Sequence, residues 1–485
     1  MSISYKLSKG TKAVSIILGA LLTGFMWRAR GTHGFGSFWG LVAVGTMVTL
    51  LIFAFYGNRK KMKFELMPIG ALLMGATVPA WGEVVSMPGG IFKASYDSDI
   101  LCNITQPRGT CFMLMLGFGL ICLYSVFVGT LFSEKEYKIK DYAVLVVVFF
   151  AAAAFAKATF AHYLLKCISP ELFNNFKDSL FTNGFELFPR QAYLHHFSDM
   201  AWAKHIPFGR PYYECIEHIS YSFGALTLII ASLVIFRDKL TALVSLLINI
   251  FSAIAITVSD YFIICNYETS FISNIRIPSA LKCTSWSLWE FFTGLIIGAS
   301  IFVIIALIPD KFTANQEYRS ECYIQNNMLR YIFNIAGYLF IFYVVPFRAI
   351  GLRLARNAVE YNYITNEDLT GIIFIVAASV IAFFFIRNKF KQNLYNRNLP
   401  VPFEQKPSAF AEKKLTLLSI VYAVIYFFTG DALVIRFIYR LIKNPSAFRV
   451  LLTEGDMTSL PFMVCSFILF LVIYLVNQKQ MKQSH

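Results

Sequence analysis

Long apolar runs dominate this chain, and few folds can accommodate them. Stretches of about 20 residues, enough to cross a bilayer as a helix, recur near 13–30, 37–56, 66–85, 110–132, 141–163, 214–236, 240–264, 286–308, 329–347, 369–386, 414–435 and 459–476. They predict an all-α polytopic integral membrane protein of about 12 transmembrane helices, forming one helical domain over 1–485. Charged residues are only 15% of the chain, where a soluble protein of this size carries roughly 25%. The basic start, Met1 to Lys12, leads into the first run without a small-x-small cleavage site, so the first helix is expected to stay.

An even helix count puts both termini on one side, and the basic loops say which. Arg59-Lys60-Lys61, then Lys135, Lys138 and Lys140, then Arg237 and Lys239, and a cluster from Arg387 to Lys414 all fall on the side of the N-terminus. By the positive-inside rule both termini are cytoplasmic. Arg348, Arg353, Arg356, Arg436, Arg440 and Lys443 run against that bias, and 349–359 is expected to lie along the interface as an amphipathic helix. The net charge of +15 therefore reads as topology; no nucleic-acid motif accompanies it. A bacterial cytoplasmic (inner) membrane is the expected location, with lipid as the obligate partner.

Six of the nine cysteines sort to the outer side in pairs. Cys102 with Cys111, Cys167 with Cys215, and Cys265 with Cys283 are each expected to form a disulfide, because such bonds persist in an oxidising compartment.

Ionisable residues inside apolar runs are costly and mark function. The stretch Trp27-Arg28-Ala29-Arg30-Gly31-Thr32-His33 joins the first two runs and brings two arginines and a histidine to the outer side. Glu83, Lys157, His162, Glu214, Glu217, His218, Asp260, Glu290 and Asp431 lie at the same outer level, whereas Asn249 and Asn334 are the main polar groups deeper in. Gathered at one depth, these groups predict a polar cavity in the outer half of the bundle. Its substrate-binding candidates are Arg28, Arg30, His33, Glu83, Asp260, Glu290 and Asp431, with Arg28 paired to Glu83 when no ligand is bound.

The segment 164–213 forms a long extracytoplasmic connection between the fifth and sixth helices and is rich in histidine, including His195 and His196. Neither His-Glu-x-x-His nor Cys-x-x-Cys occurs, so no metal and no cofactor are expected.

Two functions fit. A secondary-active transporter for a small polar or anionic solute would use the acids for coupling protons or sodium and the arginines for the solute. The turn Arg237-Asp238-Lys239 between the sixth and seventh runs is too short for the long central loop of major-facilitator transporters. Alternatively, a membrane transferase would act at the outer leaflet on an acyl, glycosyl or lipid-linked donor. A histidine beside an acid would then serve as base, with His33, His196, His218, Asp260 and Glu290 as catalytic candidates. Two short fragments, His33-Gly34-Phe35-Gly36 and Arg210-Pro211 followed by Glu217, resemble parts of prolipoprotein diacylglyceryl transferases. The chain lacks that family's Arg-x-Gly-Asn signature and has more helices, so the likeness assigns no family.

Overall fold

The computed structural model describes residues 9–31, 38–56, 66–77, 91–94, 98–101, 106–135, 137–170, 173–174, 209–269 and 285–308, with isolated positions between 328 and 336. The last four expected spans fall on or beyond those isolated positions. The twelve-helix count and the C-terminal orientation therefore lie outside the described residues.

Among the described residues the helices, in chain order, are α1 (Lys9–Gly31), α2 (Phe38–Tyr56), α3 (Met67–Gly75), α4 (Gln106–Leu120), α5 (Cys122–Phe132), α6 (Ile139–Thr159), α7 (Ala161–Ile168), α8 (Gly209–Val234), α9 (Lys239–Thr269) and α10 (Ser285–Leu307). Among the described residues four stretches are long and apolar enough to cross a membrane: Ile139–Thr159, Cys215–Val234, Lys239–Phe262 and Leu288–Leu307. Pro107–Leu120 and Cys122–Phe132, bent by 44°, make a fifth if taken as one broken span.

Several boundaries depart from the expectation. The described part of the third run is a nine-residue helix, too short to span by itself. The fifth run breaks at Phe160, whose backbone (φ −109°, ψ −14°) separates α6 from α7. Helix also enters the 164–213 segment from both sides, as α7 to Ile168 and as α8 from Gly209. The chain is helical as expected, with one short hairpin among the described residues, where Ile91–Ala94 pairs antiparallel with Ser98–Leu101, Ile91 opposite Leu101. Strand-favouring Ile91, Phe92 and Ile100 lie within that hairpin, between α3 and α4.

α9 is the hub: it packs on α4, α5, α8 and α10, and α10 in turn packs along α1. Close approach between α1 and α10 needs Gly294, where a side chain would strike Trp27 and the Thr23 carbonyl. Trp27 is fully buried at this contact. Tyr124, Phe127, Phe132 and Phe149 fill the core around α5 and α6.

The two ends of the bundle differ chemically. At the end where α1 begins, Lys12 Nζ donates to the Ala306 carbonyl at 2.9 Å, capping α10 where its dipole favours a cation. At the same end the α5–α6 and α8–α9 turns are tied together. Lys135 Nζ donates to the Phe236 carbonyl at 2.9 Å, and the Tyr137 hydroxyl donates to Asp238 Oδ2 at 3.0 Å. The short α8–α9 turn places Arg237 at φ 51°, and Asp238 Oδ1 accepts from the Thr241 amide, starting α9.

The outer-side disulfides are not supported. Cys167 is an exposed free thiol near the end of α7, whereas Cys215 is buried in α8, so no bond joins them. Cys111 is also a free thiol. Its expected partner Cys102, like Cys283 and the Cys265 side chain, lies outside the described residues. Sorting by loop predicted proximity, but helix rotation set one thiol toward the surface and the other into the core.

Candidate functional site

At the other end of the bundle, α1 finishes and α10 begins. Arg28 sits in the last turn of α1 and Glu290 two turns into α10, and Arg28 Nη1 donates to Glu290 Oε2 at 3.3 Å. Their side chains are 13% and 3% exposed. Arg28 lies in the last turn of α1, where the helix dipole favours a cation, and the packing of α1 along α10 brings Glu290 to it. Asp260, fully buried, occupies the same end of α9, the helix that packs on α10. Arg28 is thus held by Glu290. Glu83, the partner expected from sequence, lies outside the described residues, as do His33, His196, Asp431 and the Arg30 side chain.

A second buried pair joins α6 to α8. Lys157 Nζ donates to Glu217 Oε1, and both side chains are under one-tenth exposed. The next residue, His218, is fully buried, and neither ring nitrogen has a hydrogen-bond partner among the described residues. On α7, beyond the end of the α6 span, burial lowers the His162 pKa to about 4, and the nearby Lys157 charge adds to the effect. Among the described residues no group of three or more His, Cys, Asp and Glu is placed to hold a metal ion.

A third feature lies midway between the ends. The α4–α5 span breaks at Ile121 (φ −119°, ψ 23°). Gly117 and Gly119 precede the break, and the buried Thr77 hydroxyl donates to the Leu120 carbonyl at the end of α4. Flexible residues and a side chain bonded into the ladder are the usual causes of such a kink.

Facing the broken span, α9 runs antiparallel in even register. Gly117 meets Ala253, Ser125 Oγ pairs with Ser245 Oγ at 2.8 Å, and Gly129 meets Thr241. Residue 249 lies four positions from both Ser245 and Ala253, hence on the same face of α9. The register sets Asn249 opposite Ile121. Asn249 is fully buried, and neither of its amide atoms has a hydrogen-bond partner among the described residues; the same holds for the hydroxyls of Ser252 and Ser259. Sequence alone flags Asn249 as a deep polar group. The break opposite it is a property of the packed helices.

No family, curated protein or solved structure matches this chain. What the described residues define is a class: a helical bundle with, among them, four or five apolar helices capable of crossing a membrane, two buried ion pairs toward one end, and a broken helix facing buried amide and hydroxyl groups at mid-height.

Proposed function

We propose that the protein is a multi-pass membrane transporter of the secondary-active type for a small polar or anionic solute. It resides in a bacterial inner membrane with both termini in the cytoplasm. One observation carries this: the broken α4–α5 span faces Asn249 and Ser252 near the middle of Lys239–Phe262. Transporters place their sites near the bilayer midplane, where discontinuous helices turn main-chain groups toward the cargo. A buried polar side chain with no partner costs free energy that a passing solute or ion would recover. The Arg28–Glu290 pair fits an end gate: it holds α1 to α10, and an anionic solute entering there would compete with Glu290 for the guanidinium.

The second reading is a transferase acting at the outer leaflet on an acyl, glycosyl or lipid-linked donor. It is favoured by the collection of Arg28, Glu290, Asp260, Lys157, Glu217 and His218 toward one end of the bundle.

Solvent access separates the two without knowledge of the solute. In a cysteine-free background, Ser252→Cys is treated with a membrane-impermeant maleimide in right-side-out and in inverted vesicles. A transporter exposes position 252 to each face in turn, so both preparations label. Labelling only from the Arg28 end points to the transferase, and absence of labelling from either face removes both readings.

A further inference from the structure

We propose that Asn249 and Ser252 of α9, together with main-chain oxygen at the α4–α5 break, form a binding site for a sodium ion. The candidate ligands are neutral oxygens: Asn249 Oδ1, Ser252 Oγ and the carbonyl of Leu120. That carbonyl, at the end of α4, accepts the Thr77 hydroxyl, and a carbonyl oxygen has a second lone pair to offer.

Three features select the ion. Hard cations take oxygen ligands, and unwound carbonyls with the C-terminal ends of half-helices coordinate sodium in membrane bundles. α4 ends at the break, so its negative dipole end points there. The α9 stripe and the α4–α5 face opposite it carry no carboxylate at this level: the buried acids Asp260 and Glu217 lie toward the far end of the bundle. A divalent ion would keep its double charge uncompensated in an apolar interior, whereas a monovalent ion can be held by oriented dipoles.

Sodium binding is a claim about this site alone. Its role as the coupling ion rests on the transport reading, and the two fail separately.

The test uses the full-length protein purified in detergent. Its melting temperature is followed while NaCl replaces KCl or N-methylglucamine chloride at constant ionic strength, since a ligand of the folded state stabilises it by mass action. Wild type should show a saturable rise with sodium and none with the other two cations. Asn249→Leu should abolish the rise, and Ser252→Ala should move half-saturation to higher sodium. Asn249→Asp, which adds a formal charge to an existing ligand, should lower half-saturation by ~10-fold, a modest share of what a close charge pair can supply. The proposal is overturned by a wild type indifferent to sodium, by a sodium response that persists in Asn249→Leu, or by unchanged half-saturation in Asn249→Asp. If Asn249→Leu does not fold, the Asp and Ala variants decide alone. Saturable sodium stabilisation together with one-sided labelling of Ser252→Cys would retain the site and reject transport.

Discussion

Arg28 and Glu290, 262 positions apart in the chain, meet at 3.3 Å where α1 ends and α10 begins. Removing one member of a buried pair leaves the other charge inside the protein, at about 3–5 kcal/mol. Glu290→Ala should destabilise the protein by an amount of that order in a denaturant titration. The apolar double variant Arg28→Met/Glu290→Leu should recover most of the loss. A double variant as unstable as the single would mean that the pair does not join the two helices energetically. In the transport reading the double variant, although folded, still lacks the guanidinium and stays inactive.

His162 predicts a pH dependence. Its folded-state pKa, about 4, lies below the ordinary value of 6.5, so between these values the unfolded chain binds a proton that the folded protein does not. The resulting stabilisation is fully present above pH 6.5 and is lost as the pH falls toward 4. Melting temperature measured between pH 7.5 and 4.5 should decline more steeply for wild type than for His162→Gln. Parallel curves would place His162 in contact with solvent in both states.

Gly117 allows α4 to approach α9 closely, with the Ala253 backbone where a side chain would begin. Backbone atoms cannot rotate away, so Gly117→Val should force the helices apart. Overpacking of this kind costs about 1–3 kcal/mol. The same substitution would move the break relative to Asn249, so sodium stabilisation should weaken along with the fold. A variant melting like wild type would show that the helices separate without penalty.

Thiol reactivity follows burial. Cys167 should react with maleimide in the native protein, while Cys122 should react only after unfolding. Mass spectrometry of labelled peptides, without prior reduction, reads both. Protection of Cys167 that disappears on reduction would restore the disulfide expected from its loop position.

Membrane class was legible without coordinates, because apolar run length and sparse charge leave a 485-residue chain little alternative to a helical bundle. That Arg28, Asp260 and Glu290 gather toward one end of the bundle could also be inferred, since helices of similar length alternating in direction bring residues at corresponding positions to one end. Partner choice could not. Depth alone does not single out Glu290 for Arg28; the packing of α1 along α10 brings the two together. Cys167 and Cys215 flank one loop, yet helix rotation set them in different environments. The break at Ile121 falls inside an apolar run whose hydropathy does not register it, and Asn249 acquires meaning only from what stands opposite. Sequence determined which residues are too polar to face lipid and roughly how deep they lie, because both follow from composition along one helix. Tertiary structure decided which of them meet, because helix rotation and neighbour choice depend on the shape of every packed surface at once.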